Sequence, residues 1–141
     1  MTTDEVKAWL RSYRLLKAEI DTLENEIAEW KSRAARLTQS YSGMPSGSGS
    51  ADQIPSAVER IMELEEMFNR KVNALVEERH RIETAVALLT DKHRHLIHYR
   101  YIDCMTWEQV AVKMNLEYRW VLRVHGRALQ ELSKLTIESH P

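Results

Sequence analysis

The sequence predicts an all-α protein in which a long antiparallel coiled-coil helical hairpin is followed by a C-terminal helix-turn-helix domain. Helix breakers are scarce among the 141 residues, since three of the four glycines and two of the three prolines lie within 43–55. Long segments on either side of this stretch repeat apolar residues at alternating steps of three and four. We therefore expect a hairpin at 1–89 with a flexible loop at 41–56, a domain at 90–136 and a tail at 137–141.

The first predicted helix begins at Thr2 and Glu5, which have capping-box spacing. Its apolar residues keep a seven-residue repeat, which is typical of a left-handed coiled coil. This face is either an intramolecular packing face or an arm for oligomerisation or partner binding. The seam consists of Val6, Trp9, Tyr13, Leu16, Ile20, Leu23, Ile27, Trp30, Ala34 and Leu37.

Residues 41–56 are rich in glycine and serine, a composition that predicts a flexible loop. Ser56 and Glu59 then predict the start of the second helix, because they again have capping-box spacing. Its seam consists of Val58, Ile61, Glu65, Phe68, Val72, Leu75, Arg79, Ile82, Val86 and Leu89. One antiparallel register matches the seams as Leu37–Val58, Ile27–Phe68, Ile20–Leu75, Tyr13–Ile82 and Val6–Leu89. Further apolar residues beside the seam predict association into a homodimer or higher homo-oligomer; they are Leu10, Leu15, Leu64 and Val76.

The C-terminal segment has the pattern of short helices joined by turns. Thr90 and Asp91 are placed to cap a helix over residues 92–101. Thr106 and Gln109 form a capping box for the next helix, and Asn115 tolerates the left-handed conformation that ends a helix. Leu116 can fill the turn that follows. The buried stripes of the two helices are expected to consist of Trp107, Val110, Ala111, Met114, Val121, Val124 and Ala128.

Charge is unevenly distributed along the chain, although the formal net charge is only −1. Residues 1–41 contain seven basic and seven acidic side chains, and residues 57–89 contain five basic and seven acidic ones. Residues 90–135 contain eight basic and five acidic side chains. The excess of three positive charges therefore lies on the predicted helix-turn-helix, which is the pattern of a phosphate-binding surface.

The run from Leu89 to Leu135 resembles region four of bacterial sigma factors, which reads a promoter element. The matching residues are Leu89, Tyr99, Arg100, Tyr101, Thr106, Glu108, Ala111, Val121, Arg127, Ala128, Leu129 and Leu132. Joined to an N-terminal hairpin with a loop rich in glycine and serine, the whole chain is similar to phage late-transcription regulators of the RinA/ArpU type. This resemblance implies a regulator, of the activator kind, that binds specific double-stranded DNA of a phage or prophage in the bacterial cytoplasm. It implies no catalysis and no cofactor, and it leaves a contact with bacterial RNA polymerase open.

The second helix of a helix-turn-helix enters the major groove, and its N-terminal residues meet base edges. The expected base-reading residues are thus Glu117, Tyr118, Arg119, Leu122 and Arg123. Arg119, and after it Arg123, suits a bidentate contact to guanine. Glu117 either accepts from a cytosine amino group or complements the helix dipole. Phosphate contacts are expected from Arg127 and Lys134 and from the backbone N–H groups at Thr106.

Three further residues of the second helix carry separate expectations. Trp120 is expected to pack inward rather than to act as a wedge between bases, because a buried tryptophan contributes a large apolar area. His125 is expected near the DNA-reading face. Gly126 costs roughly 1 kcal/mol relative to alanine inside a helix, so it is expected to permit close approach of another helix or of DNA backbone.

The sequence shows no pattern of an enzyme or of a metal protein. One cysteine, Cys104, excludes an internal disulfide framework. Among His93, His95 and His98 only the last two share a helical face, without the spacing of a metal site. Neither a signal peptide nor an apolar run long enough for a bilayer is present, which predicts an intracellular protein without membrane contact. The alternative to a DNA-binding regulator is a coiled-coil assembly or scaffold protein, or a DNA-packaging adaptor.

Overall fold

A computed structural model describes the backbone of residues 1–43 and 48–138, and the side chains of residues 1–39 and 53–136. These residues are helical apart from short turns and contain no strand, which confirms the predicted all-α class. The two long helices run antiparallel. No described helix combines the length and the apolar character needed to cross a membrane. The elements are α1 (Thr3–Gly43), α2 (Ser48–Val86), α3 (Asp91–Ile97), a π-helical turn (His98–Ile102), α4 (Trp107–Met114) and α5 (Tyr118–Glu138).

Two compact units divide the chain at points other than the expected boundary at residue 89. One, here called the composite unit, contains Met1–Leu16 and Leu75–Pro141. The other, the hairpin unit, contains Lys17–Ala74. The ends of both long helices therefore belong to the same compact unit as the C-terminal helices.

The core of the composite unit draws apolar side chains from every helix. Val6, Leu10 and Tyr13 of α1 are at most 1 % exposed, and they share one cluster with residues of the later helices. The predicted capping box of α1 is confirmed, because Glu5 N donates to Thr2 Oγ1 over 3.1 Å and Thr2 N donates to Glu5 Oε1 over 3.4 Å. The other buried members of the cluster are Ile82, Val86, Leu89, Leu96, Ile97, Tyr101, Ile102, Val110, Ala111, Val121, Val124, Ala128, Leu129 and Leu132.

The hairpin unit has a smaller apolar core. Leu23, Ile27 and Leu64 are buried, and Trp30, Met67 and Phe68 pack against them. Ion pairs between the two helices lie at its surface: Lys71–Glu19 at 3.0 Å, Lys31–Glu65 at 3.1 Å and Arg60–Glu26 at 3.4 Å. Exposed pairs of this kind contribute roughly 0–1 kcal/mol each. Apolar burial is therefore the main stabilising contribution in this unit.

The buried seam of α2 departs from the predicted one in its first half. Ala57 and Leu64 are 1 % exposed, whereas Val58 is 46 % exposed. Val58, which was expected to face Leu37 in the seam, is therefore largely at the surface. Burying Leu64 leaves its neighbour Glu65 at the surface, and this avoids the cost of desolvating an unpaired carboxylate.

The break between the two long helices is shorter than the predicted loop over residues 41–56. Helix α1 continues to Gly43, and α2 begins at Ser48, so the predicted start at Ser56 is wrong. Adding residues to an existing helix is far easier than nucleating one, which explains how weak helix formers extend two long helices. Residues 44–47 of the predicted loop lie outside the described residues, as do residues 139–141 of the predicted tail.

Candidate nucleic-acid interface

Helix α3 is held against α5 by one carboxylate. Glu131 accepts hydrogen bonds from Thr90 N at 2.7 Å and from Thr90 Oγ1 at 3.3 Å, and its Oε2 lies 2.6 Å from His93 Nδ1. Burial acts to raise the pKa of Glu131, but the hydrogen bonds from Thr90 and His93 lower it below its ordinary value. Thr90 precedes α3 as predicted but makes no side-chain cap hydrogen bond to it, and its hydroxyl group binds Glu131 instead. Helices α3 and α5 are thus connected by polar contacts as well as by the core.

A π-helical turn then leads the chain toward α4. Asp103 N donates to His98 O at 2.9 Å, which is an i to i+5 bond. The carbonyl of Met105 accepts from Arg100 Nη1 at 2.9 Å, and the guanidinium of Arg100 lies 4.3 Å above the Trp107 ring. Burial lowers the pKa of Arg100, and the neighbouring positive charge of Arg14 lowers it further. The hydrogen bond from Arg100 thus satisfies the carbonyl oxygen of Met105, just before α4 begins.

The turn between α4 and α5 has the geometry that the sequence predicts. Gln109 N donates to Thr106 Oγ1 at 3.2 Å and Thr106 N donates to Gln109 Oε1 at 2.9 Å, so the capping box is confirmed. Asn115 ends α4 in the left-handed conformation, with φ 55° and ψ 46°. Leu116 N donates to Ala111 O at 3.0 Å, and its side chain packs against the core of the composite unit. A short helix, a tight turn and a longer helix thus follow one another.

One face of α5 is buried and the opposite face is basic. Val121, Val124 and Ala128 are buried, as predicted. Four exposed cations lie on the opposite face, and we call Arg119, Arg123, Arg127 and Lys134 the basic face. Within the described part of the chain no carboxylate forms an ion pair with any of them. Their charges are therefore available to an anionic partner.

The seven predicted DNA-contacting residues other than Lys134 are all exposed as well. Thr106 is at the start of α4, and the other six lie in the turn before α5 or in its first three turns: Glu117, Tyr118, Arg119, Leu122, Arg123 and Arg127. Tyr118 is 45 % exposed and Leu122 is 41 % exposed, so apolar surface accompanies the charges. Contact of these residues with DNA stays a prediction.

Trp120 belongs to the exposed surface, so the prediction of an inward-packed indole is wrong. Its side chain is 43 % exposed. The guanidinium groups of Arg123 and Arg127 lie 5.4 Å and 5.7 Å from the centre of its ring, within the range of cation–π attraction. The spacing of i, i+3 and i+7 places these three residues on one face of a helix. This spacing can be read from the sequence, and it indicates that Trp120 lies beside the two arginines. Trp120 therefore supports two arginines of the basic face.

His125 belongs to the core, which corrects its expected place near the DNA-reading face. Tyr101 Oη lies 2.7 Å from His125 Nε2, and the ring of Trp107 packs edge-on at 4.5 Å. Burial, together with the positive charges of Lys7, Arg100 and Arg11, lowers the pKa of His125 to about 4. The imidazole is thus neutral at pH 7 and shares a hydrogen bond with the phenol of Tyr101. A partner 24 residues earlier in the chain cannot be recognised from local spacing.

The three histidines of α3 and the π-helical turn have separate partners. His93 contacts Glu131, His95 stacks on Tyr99 with ring centres 6.1 Å apart, and His98 Nδ1 lies 3.2 Å from Asp103. Across residues 1–39 and 53–136 no group of three or more His, Cys, Asp and Glu side chains is placed to hold a metal ion. The histidines therefore serve local contacts.

Together these features define a class: an all-α protein in which a long helical hairpin is joined to a small C-terminal helical region. The chain belongs to the family described as "Protein of unknown function (DUF722)", whose model matches residues 3–134. The match spans the hairpin and the C-terminal helices, so the family comprises both parts. No curated protein and no solved structure matches the chain significantly.

Proposed function

We propose that this protein is a sequence-specific DNA-binding transcriptional regulator of phage or prophage genes. The observation that supports this most strongly is the basic face of α5, four exposed cations without carboxylate partners among the described residues. The face lies on the second helix after a tight turn, which is where helix-turn-helix proteins place the residues that enter the major groove. The resemblance to sigma region four and to RinA/ArpU-type regulators supports an activator.

Each residue has a distinct role in this proposal. Arg119 and Arg123 donate in bidentate fashion to guanine O6 and N7, while Tyr118 and Leu122 contact base edges or a thymine methyl group. Arg127, Lys134 and the N-terminus of α4 at Thr106 bind phosphates and set the orientation of the protein. Glu117 precedes α5, where it accepts from cytosine or complements the helix dipole.

The fold itself supplies the rigidity that such a role requires. Glu131 ties α3 to α5, and Arg100 holds the segment before α4 through Met105 O and the Trp107 ring. Base reading depends on side chains that project from a fixed backbone. The proposal involves no catalysis and no cofactor, and it places the protein in the bacterial cytoplasm with RNA polymerase as a candidate partner.

A mobility-shift assay with the DNA that flanks the gene tests this proposal. We expect a discrete complex whose affinity falls roughly tenfold between 50 and 200 mM salt if Arg127 and Lys134 neutralise two phosphates. The double variant Arg119→Ala/Arg123→Ala should lose preference for this DNA, at about 1–3 kcal/mol for each bidentate contact. A matched control, Arg36→Ala/Arg70→Ala, removes two exposed arginines of the hairpin unit and should bind as the wild type does.

Two results would contradict parts of the proposal. Retained sequence preference in the Arg119→Ala/Arg123→Ala variant would show that another surface reads the bases. Absence of binding to any duplex at low salt would contradict DNA binding altogether and favour a scaffold or assembly protein.

A second candidate, the coiled-coil assembly protein, is favoured by apolar side chains that remain at the surface. Leu15 and Val76 are each 61 % exposed, whereas Leu10 and Leu64, which were also expected at an oligomer interface, are buried within the chain. Self-association through such residues suits both candidates, since a dimer binds two half-sites about 34 Å apart. Light scattering should give twice the chain mass; a monomer at high concentration would contradict self-association.

A further inference from the structure

Gly126 occupies the interior of α5, which runs from Tyr118 to Glu138. Glycine is less favourable there than alanine, because it loses more backbone freedom on folding. A glycine in the middle of a helix therefore calls for a reason, either in the protein or in a partner.

The described part of the protein supplies no such reason. Gly126 has no positive φ that a side chain would strain. A Cβ atom built at this position meets no described atom within 4 Å. The close approach of a second helix from the described part of the same chain, one of the explanations that the sequence allowed, is thereby removed.

The position of Gly126 on α5 indicates which partner needs the space. It follows Arg119 by seven residues and Arg123 by three, so it lies close to both on the helix surface, where it is partly exposed. Arg127 is its direct neighbour and is also exposed. The missing side chain thus creates a notch among the cations of the basic face.

We propose that Gly126 admits the sugar–phosphate backbone of DNA to close contact with α5. This inference rests on the proposed DNA-binding function. The first turns of a recognition helix meet base edges, whereas Gly126 lies more than two turns from the start of α5, where a helix leaves the groove and passes the backbone. Absence of a Cβ allows close backbone approach, and Arg127 beside the notch neutralises the phosphate.

The test compares Gly126→Ala and Gly126→Leu with the wild type. The probe is a fluorescent 30-base-pair duplex that the wild-type protein selects from a random pool, and the measurements are Kd by anisotropy and Tm by circular dichroism. Gly126→Ala should raise Tm by about 3 °C, because alanine favours the helix and nothing obstructs its methyl group. Its Kd should rise about tenfold, and Gly126→Leu should bind more weakly still, since the larger side chain keeps the duplex further away.

Thr84→Ala is the matched control, because it also improves helix propensity at an exposed position, on α2. It should leave Kd unchanged, which separates the effect of stability from that of the notch. Selection from the random pool by Gly126→Ala should return the same base preference as the wild type, because backbone contacts do not read sequence.

Three outcomes would overturn the inference. An unchanged Kd in a stabilised Gly126→Ala variant would show that the notch is not used. A lowered Tm would show that the protein itself requires the glycine, and an altered base preference would assign the position to base reading. If the wild type selects no duplex at all, the proposed function fails and this inference fails with it, a result distinct from the other three.

Discussion

The composite unit and the hairpin unit are stabilised in different ways. In the composite unit, polar groups are held inside or against the core by partners distant in sequence: His125 with Tyr101, and Glu131 with Thr90 and His93. In the hairpin unit, an apolar cluster around Leu23, Ile27 and Leu64 forms the core and ion pairs lie at the surface. Buried polar contacts require one geometry, whereas apolar seams tolerate small shifts. The unit that bears the basic face is thus the one whose helices are fixed most specifically.

The largest expected effect on the free energy of unfolding comes from truncating one core side chain in each unit. Leu96 is fully buried in the larger cluster and Leu64 is 1 % exposed in the smaller one. Leu96→Ala should destabilise the composite unit by roughly 3–4 kcal/mol, and Leu64→Ala should cost about 2–3 kcal/mol because fewer neighbours surround the cavity. Hydrogen exchange resolved by residue checks both. Equal loss of protection throughout the chain in both variants would show that the units do not unfold separately.

The second-largest expected difference is in the pH dependence of stability, because the buried base His125 belongs to the composite unit. Its pKa is lowered from 6.5 to about 4 by burial and by nearby positive charge. Between these values the unfolded chain binds more protons than the folded one, so stability falls as pH falls through 6.5 toward 4. We expect a loss of roughly 2 kcal/mol at pH 5, measured by urea unfolding followed by tryptophan fluorescence.

The control for this titration is His125→Gln, which removes the titrating group. The stability of this variant at pH 7 should be lower than that of the wild type. However, its stability should decrease much less than that of the wild type between pH 6.5 and pH 5. An unchanged pH profile in this variant would assign the proton uptake to other groups.

The smallest expected effects concern the polar contacts at the surface of each unit. Glu131→Gln removes the charge that accepts from Thr90 and lies beside His93, and should cost about 1–2 kcal/mol. Lys71→Met removes the exposed partner of Glu19 and should change stability by less than about 0.5 kcal/mol. Thermal unfolding of the two variants side by side measures the contrast. A cost for Lys71→Met equal to that of Glu131→Gln would show that the hairpin unit also depends on specific polar contacts.

Local sequence signals predicted the helix boundaries of the C-terminal region well. The capping box at Thr106 and Gln109 and the left-handed Asn115 depend on residues a few positions apart, and both have the predicted geometry. The inward direction of Val121 and Val124 follows equally from helical spacing. Interactions within one turn of chain are therefore those that sequence patterns identify reliably.

Features that depend on distant partners were predicted less well. The seam of α2 could include Val58 or its neighbour Ala57, and only packing against α1 decides between them. His125 pairs with Tyr101 of the π-helical turn, which no local pattern indicates. The prediction for Trp120 was wrong for a different reason. Its spacing to Arg123 and Arg127, and not its apolar character, indicates that it lies on the exposed face.

Met1, just before α1, is joined to α5 by a hydrogen bond of 2.7 Å from Ser133 Oγ to its carbonyl oxygen. These two residues are 132 positions apart, so one is synthesised long before the other. The first helix therefore leaves the ribosome well before the helix on which it closes, and domains generally fold as units once their residues are available. A ribosome-bound chain that lacks α5 has its first apolar side chains still uncovered. The basic face and the core behind it are therefore completed together, once α5 has been synthesised.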